Sequence, residues 1–373
     1  MNFNLDSIFK SIGYDVLDYI YLIDYDKDMG SLFDYLSKYK GKEFSNSERL
    51  VFINDDTEYI VRDLRFNMYN LQSILRDLDI PNFFCIVIGQ SDVKDNLERL
   101  RRLLTNDESV IKNVTFQGHL IHYPPNDRKI PLNPHLVEKS YIFLNNIMRS
   151  HRCFMISWLI QQGLVDKGLV SFNKEMPMAL DIEKQLKNQN NFRCITTHPF
   201  SRINETWVCH DEKLLAAFGN IPPVFKNFSE DVDTKLQDNN ETLLQRAFVY
   251  ISSETVFNYP DPYLSEKSFK GFVAMRPMIV FGPHGALAHL RSLGFKTWSS
   301  YWDESYDDIA DPTDRFIAVG KLIKSISDIN EADRIKILED MLPILEYNRD
   351  LYVDDFVNMQ TEHIRSQLLT VYK

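Results

Sequence analysis

Apolar and polar positions alternate in blocks along the first third of the chain. Short runs rich in aromatic and β-branched residues occupy 19–24 (YIYLID), 49–54 (RLVFIN) and 83–89 (FFCIVIG). Runs of this length and composition are typical of strands buried on both faces of a parallel sheet. Apolar residues at helical spacing lie at 70–78 and 93–104. Strands that alternate with helices predict a doubly wound α/β layer.

A second α/β series follows the stretch 117–136, which is rich in Pro, Asn and His and has no clear period. We interpret that stretch as the crossing between two domains. The strands predicted for the second series are 140–146, 169–172, 248–252 and 278–282. Its predicted helices are one within 151–163, one at 265–275 and one at 285–295.

The end of the chain, from about 313 onward, has apolar spacing typical of helices. We therefore predict two Rossmann-like domains that face a cleft, followed by a helical tail. The boundaries are 1–135 for an N-terminal domain, 136–345 for a second domain, and 346–373 for a C-terminal helix that packs back toward the N-terminal domain. In sheets of this kind, ligands bind beyond the carboxyl ends of the strands.

Composition and charge narrow the classes of function. The chain is 44% hydrophobic with a formal net charge of −11, so it can bury full cores but has no global attraction for nucleic acid. Small basic clusters at 99–102 and 128–129 could still form a local basic surface that binds nucleic acid. No apolar run approaches 18 residues and the first 20 residues have no signal pattern, so we expect a cytoplasmic protein without a transmembrane segment.

The most informative chemistry begins at Ser265-Glu266-Lys267. Ser265 is predicted to cap a helix, and the first turn of a helix attracts anions through its exposed N–H groups. The side chain of Lys267 adds a positive charge for a diphosphate. The carboxylate of Glu266 can accept hydrogen bonds from both hydroxyls of a ribose.

A second loop with candidate ligand contacts follows the strand at 278–282. Gly282 and His284 lie where that strand ends and another helix begins, and glycine there lets the backbone approach a ligand closely. Further along, Tyr306 and Asp307 are candidates to close over a bound ligand.

The segment 253–307 resembles the C-terminal donor-binding region of α-1,3-fucosyltransferase-type glycosyltransferases. It is similar, more closely, to a group of phage and marine bacterial glycosyltransferase-like proteins. A further likeness lies upstream at 145–172, and the resemblance as a whole covers about 145–316. The matching elements are Glu254-Thr255, Ser265-Glu266-Lys267, Lys270, Pro277 to Gly282, the residues 290–297 and Asp303 to Asp307.

This resemblance implies a GT-B glycosyltransferase, with the nucleotide-sugar bound by the second domain and the acceptor contacted mainly by the first. It assigns the ribose to Glu266 and the phosphates to Lys267. An arginine from earlier in the domain joins the diphosphate, and Arg152 is preferred over Arg149. The remaining donor-binding candidates are Glu254, Ser265, Lys270, Gly282, His284, Tyr306 and Asp307.

The general base stays open between two pairs of acids at predicted strand ends. Asp55 and Asp56 are the first candidates, and Asp24 and Asp26 are the weaker pair. Asp24-Tyr25-Asp26 also fits the Asp-x-Asp pattern with which the other large glycosyltransferase architecture holds a divalent metal and the donor phosphates. Because the stronger donor signal lies far from it, we favour transfer without a metal or a separate cofactor.

The leading hypothesis is a glycosyltransferase whose acceptor is either a glycan or a hydroxymethylated pyrimidine in phage DNA, in which case it acts in the host cytoplasm. An inactive nucleotide-binding module of the same fold is the non-enzyme alternative. A dehydrogenase is disfavoured because no G-x-G-x-x-G follows a predicted strand.

Overall fold

The structure of the chain, a computed structural model, divides into two units. The first unit is Met1–Pro124 with Phe356–Lys373, and the second is Pro125–Asp355. The residues described are 5–21, 29–45, 48–54, 73–80, 83–89, 111–118, 131–145, 149–173, 192–196, 205–209, 224–228, 241–258, 262 and 264–371.

The first unit is built on a four-stranded parallel sheet in the order β1-β2-β3-β4. The last helix of the chain, Phe356–Val371, belongs to this unit and lies against β4 and α1. Strands β2 and β3 confirm the runs predicted at 49–54 and 83–89. The elements are α1 (Leu5–Ser11), β1 (Asp15–Tyr21), α2 (Met29–Ser37), β2 (Glu48–Asn54), β3 (Phe83–Gly89) and β4 (Ile111–Gly118).

Strand β1 begins four residues before the strand predicted at 19–24, because an acid inside it is satisfied by partners elsewhere in the unit. Asp18 interrupts the apolar pattern, and the pairing with β2 shifts register beside it. Its Oδ2 accepts hydrogen bonds from the hydroxyls of Tyr35 and Tyr39, each at 2.6 Å, and from Lys38 Nζ at 2.8 Å. These contacts stabilise a carboxylate within a strand.

The remaining predictions for the first unit concern the interdomain crossing and two helices. The crossing predicted at 117–136 starts too early, because strand β4, which was not predicted, extends to Gly118. Of the predicted helix 70–78, the described part is helical at 73–77. The predicted helix 93–104 lies outside the described residues.

The second unit is built on a five-stranded sheet in the order β11-β10-β5-β6-β9, in which β9 alone is antiparallel to its neighbour. Strands β7 and β8 form a separate antiparallel pair. The strands are β5 (Lys139–Asn145), β6 (Gly168–Asn173), β7 (Phe192–Thr196), β8 (Glu205–Cys209), β9 (Val224–Lys226), β10 (Ala247–Ser253) and β11 (Met278–Phe281). The helices are α3 (Ser150–Gln161), α4 (Glu241–Leu244), α5 (Glu266–Val273), α6 (Ala286–Ser292), α7 (Pro312–Ser327) and α8 (Glu331–Asp350).

All four strands predicted for this series are present as β5, β6, β10 and β11, and the predicted helices are present as α3, α5 and α6. The helical tail is confirmed by α7 and α8, whose amino ends are capped by the side chains of Asp311 and Asn330. The α/β class predicted from the alternation of elements is therefore confirmed. Strands β7, β8 and β9 were not predicted.

The order of strands in the second unit fixes where a ligand is expected. The chain passes from β5 to β6 on one side of β5 and later returns to β10 on the other side. The direction of winding thus reverses between β5 and β10. Ligands of open α/β sheets bind in the crevice at the carboxyl ends of the two strands that flank such a reversal.

Candidate functional site

The carboxyl end of β10 presents consecutive polar residues to the two faces of the sheet. Ser252 Oγ lies 3.1 Å from Ser268 Oγ of α5, whereas Ser253 Oγ accepts a hydrogen bond from Arg152 Nε of α3 at 3.0 Å. Because neighbouring residues of a strand point to opposite faces, α3 and α5 lie on opposite faces of this strand end. The candidate site is therefore bounded by the amino ends of two helices.

Glu254 ties the end of β10 to the start of α5. Its carboxyl group is fully buried and accepts hydrogen bonds from the Ser265 N–H at 2.9 Å and from Ser268 Oγ at 2.5 Å. Ser252 Oγ donates a longer one of 3.4 Å. Glu254 was expected to contact the donor, and the structure places its side chain inside the protein, where it fixes the amino end of α5.

The amino end of α5 carries the Ser-Glu-Lys sequence in the predicted position. Ser265 is the N-cap, and its Oγ accepts from the backbone N–H of Lys267 at 3.3 Å. Lys267 Nζ reaches back to Ser265 Oγ at 3.1 Å and to Thr255 Oγ1 at 3.4 Å. Glu266 is the first residue of the helix, and Lys270 follows half-buried in its last turn. A half-buried ammonium group thus lies at the positive end of a helix, beside the end of β10.

The two arginines predicted for the diphosphate lie at the start of α3. Arg149 is the N-cap residue of that helix, which has no side-chain cap, and its own side chain is buried. Arg152 is also buried, and besides Ser253 Oγ its Nη2 donates to the carbonyls of Ser253 and Glu254, each at 2.9 Å. Arg152 is therefore held against the end of β10 by hydrogen bonds within the protein.

His151, which was not among the residues predicted for the site, lies between Arg149 and Arg152 in the sequence, and its side chain is buried. Its ring stacks on Phe257 at 5.5 Å between centroids, and its Nε2 lies 3.1 Å from the Glu254 carbonyl. Since a carbonyl oxygen only accepts, Nε2 carries the proton of a neutral ring. Burial, with a smaller contribution from Arg152, holds the pKa of His151 well below its usual value.

Gly282, the residue after β11, lies close to Glu254. A Cβ added to Gly282 would come within 3.0 Å of Glu254 Cγ. Its carbonyl accepts from Nε of Arg315, a buried side chain that also donates to the carbonyl of Phe257 at 2.6 Å. Gly282 is thus required here by close packing against Cβ and Cγ of Glu254, the residue whose carboxyl group orders α5.

Asp307 and Tyr306, predicted to close over a donor, instead take part in packing at the start of α6. The Asp307 carboxylate accepts from the N–H groups of Leu287 and Ala288, each at 2.9 Å, so it occupies the amino end of that short helix. Burial raises the pKa of Asp307 despite these hydrogen bonds. Tyr306 is buried, and its hydroxyl accepts from the Val280 N–H of β11 at 3.1 Å. His284 is half-buried in the turn before α6.

Asn145 is the last residue of β5, and its side chain is buried. Within the part of the chain that the structure describes, neither Nδ2 nor Oδ1 of its amide has a hydrogen-bond partner. The β5–β10 register pairs Ile142 with Tyr250, so its continuation by three residues sets Asn145 beside Ser253. A buried amide with no partner carries a free-energy cost of about 1–3 kcal/mol.

The structure brings together part of the predicted set. The start of α5, Glu254, Gly282 and Arg152 meet around the ends of β10 and β11. The four acids proposed as base or metal ligands (Asp24, Asp26, Asp55 and Asp56) lie outside the described residues. Among the described residues, no three His, Cys, Asp or Glu side chains are grouped in a way that could hold a metal ion.

Several residues of this region were missed by the sequence prediction. They include Ser252, Ser253 and Ser268, three small polar residues in or beside apolar runs. Their closeness in sequence to the Ser-Glu-Lys motif is the signal by which they could have been found. Asn145 ends an apolar strand and was not among the residues predicted for the site. Its role depends on the strand order, which the sequence did not give.

Comparison of the chain with protein-family models, with curated proteins and with solved structures found no significant match. Within the described ranges, no helix combines the length and the apolar character needed to cross a membrane.

Proposed function

We propose that the protein is a glycosyltransferase that binds a nucleotide-sugar donor at the carboxyl ends of β5 and β10. The observation that carries this proposal is the position of Lys267. Its ammonium group lies at the amino end of α5, between Ser265 and Thr255 and next to the reversal in strand order. A diphosphate placed there would meet a full positive charge and the positive end of a helix dipole.

These features suit the chemistry of glycosyl transfer. The bond between the anomeric carbon and the diphosphate oxygen breaks while a bond to the acceptor oxygen forms, and the acceptor hydroxyl loses its proton to a base. Negative charge grows on the leaving diphosphate, and a fixed cation next to it stabilises the transition state more than the ground state. Lys267 is the residue to which we assign this role, with Glu266 at the ribose.

The buried contacts around Lys267 support a preorganised site. Glu254 fixes the start of α5, Gly282 permits the close approach of β11, and Arg152 joins the end of β10 to α3. These groups can contribute to donor binding without contacting the donor. They hold the amino end of the helix in one position, which lowers the cost of reorganisation on binding.

The choice of glycosyl transfer among nucleotide-dependent reactions rests on the resemblance of 253–307 to fucosyltransferase-type enzymes. A GT-B arrangement, with acceptor contacts from the first unit, is part of the same proposal. The acceptor is proposed to be a hydroxymethylated pyrimidine in DNA or a glycan, and the assay must offer both.

The test is a transfer assay with UDP-, GDP-, ADP- and TDP-linked sugars. DNA containing hydroxymethylated pyrimidines and a set of oligosaccharides serve as acceptors, and the mass added to each acceptor is measured together with the nucleotide released. We expect transfer from one donor that persists in EDTA. Lys267→Met should lower kcat/KM by about 100-fold, the usual scale for removing one group that stabilises developing charge. Lys321→Met, which removes an exposed lysine of α7, should leave the rate unchanged.

Other outcomes would redirect the proposal. Transfer that requires Mn²⁺ and is unaffected by Lys267→Met would favour the alternative hypothesis, in which Asp24 and Asp26 hold a divalent metal and the donor phosphates. Nucleotide binding with neither transfer nor hydrolysis of any donor would favour an inactive module of the same fold.

A further inference from the structure

Asn145 is placed on the same face of the sheet as Arg152. Ser253 directs its side chain to Arg152 of α3, and it lies beside Asn145 in the extended register of β10 and β5. Phe143, two residues before Asn145 on β5, has its ring 6.2 Å from that of Phe281, which is paired with Ser253. Residues two apart on a strand share a face, so the amide of Asn145 points to the face of α3.

The amide of Asn145 therefore lies on the face of the sheet that is covered by α3, a helix of 12 residues without a side-chain cap. Only 2% of the surface of Asn145 is exposed, and both polar atoms of its amide lack a hydrogen-bond partner within the described structure. Nearly all buried polar groups in proteins are hydrogen-bonded, so an exception at the expected ligand crevice needs a physical reason. Groups that cost stability in the unliganded protein are characteristic of binding sites.

The two atoms of the amide restrict what can satisfy them. Nδ2 is a donor and Oδ1 is an acceptor. A phosphate at neutral pH offers acceptors almost exclusively and would leave Oδ1 unsatisfied. A hydroxyl group both donates and accepts, and it is small enough to reach an amide that is almost completely covered.

We propose that Asn145 is a specificity-determining residue of the donor site and that its amide binds hydroxyl groups of a sugar carried by the nucleotide. This inference rests on the proposed function and extends it, because it separates a hydroxyl-binding position at the end of β5 from the phosphate-binding position at Lys267. The sugar is either the ribose or the transferred sugar, and both present the same chemistry to the amide.

The structure offers a matched control on the same strand. Ser140, near the amino end of β5, also has a buried side chain whose Oγ lacks a partner among the described residues. It lies at the opposite end of the strand from the crevice. Ser140→Ala thus removes the same kind of unsatisfied group without touching the proposed site.

The experiment compares wild type, Asn145→Leu, Asn145→Ala and Ser140→Ala. For each, the melting temperature without ligand is measured, together with the Kd for the nucleoside diphosphate that binds best, its 2′-deoxy form and its sugar conjugates. Asn145→Leu keeps the branched, four-atom shape of the side chain and replaces both unsatisfied atoms with somewhat larger methyl groups, so its melting temperature should equal or exceed that of wild type. Its affinity for the ligand should fall at least about fivefold, as for the loss of one or more hydrogen bonds. Ser140→Ala should bind like wild type.

The ligand arms identify the sugar. A loss of affinity shared by the diphosphate and its sugar conjugate, but absent with the 2′-deoxy form, assigns the amide to the ribose. A loss confined to the sugar conjugates assigns it to the transferred sugar. Asn145→Ala, which only removes atoms, gives the same affinity readout if leucine prevents folding.

Three results would overturn the inference. Unchanged affinity in both Asn145 variants for every ligand that wild type binds would do so while leaving the proposed function intact. A folded Asn145→Leu that melts well below wild type would show the amide to be a structural group. If wild type binds no nucleotide at all, the proposed function fails and this inference fails with it.

Discussion

The carboxyl group of Glu254 accepts a hydrogen bond of 2.9 Å from the backbone N–H of Ser265. The first residue follows the last strand position of β10, and the second is the N-cap of α5. A single buried side chain thus sets where the helix begins relative to the strand end. The orientation of Lys267, which bonds to Thr255 just after β10 and to Ser265 at the start of α5, depends on this contact.

We predict that Glu254→Ala lowers the free energy of unfolding by about 2–4 kcal/mol. The substitution leaves the Ser265 N–H and the Ser268 hydroxyl buried without the Glu254 acceptor. Each buried donor that loses its acceptor costs about 1–3 kcal/mol of stability. Urea denaturation measures the change. Glu254→Gln keeps one acceptor and should lose less. Equal losses for the two variants would mean that the oxygen atoms of Glu254 do not carry the contact.

Gly282→Ala should destabilise the protein by about 1–3 kcal/mol, the range seen when a methyl group is forced into a packed site. The new Cβ would lie 3.0 Å from Cγ and 3.1 Å from Cβ of Glu254, whose side chain is held by its hydrogen bonds and has little freedom to move away. The check is a double-mutant cycle with Glu254→Ala, which removes Cγ. The loss caused by Gly282→Ala should shrink in the Glu254→Ala background. Strict additivity would place the cost of the methyl group elsewhere.

The stability of the protein should depend on pH through His151. Its pKa is well below 6.5 in the folded state, chiefly through burial. Above pH 6.5 the ring is neutral in both states, so it adds no pH dependence. Below pH 6.5 the unfolded chain binds a proton that the folded protein does not, so stability is lost as the pH falls, by up to about 1.4 kcal/mol per pH unit.

His151→Phe tests this assignment by unfolding experiments at pH 7, 6 and 5. Phenylalanine retains the stack on Phe257 but does not titrate, so the stability of the variant relative to wild type should improve as the pH falls. His135→Gln, at an exposed position of the same unit, is the control for the removal of a histidine that is not buried. A difference between wild type and His151→Phe that is the same at all three pH values would contradict the account.

The strands and helices of the second unit could be predicted because their signals are local. Apolar runs such as 248–252 and 278–282 are long enough to specify buried strands, and Ser265 precedes a helix with a suitable cap. Strand β1 was placed four residues late because Asp18 breaks the apolar run. Its partners, Tyr35 and Tyr39, are 17 and 21 residues away, so no local pattern reveals them.

The candidate site was predictable in its motif and unpredictable in its contacts. The sequence predicted that Ser265 caps the helix that begins with Glu266 and Lys267. It could not show that the side chains of Glu254 and Asp307 anchor α5 and α6. Arg315, which joins Gly282 to Phe257, contacts residues 33 and 58 positions away in the chain. Asn145 could be recognised only after strand order and register had placed it beside Ser253.

The most direct test of the central claim is nucleotide binding to wild type, Lys267→Met and Lys321→Met. Melting temperatures are measured in EDTA with UDP, GDP, ADP, CMP and TDP, each at increasing concentration. One nucleotide should stabilise wild type, by about 2.7 kcal/mol at 100 times its Kd. The shift should be retained in Lys321→Met and lost in Lys267→Met. No shift with any nucleotide, or an equal shift in Lys267→Met, would contradict a donor site at the amino end of α5.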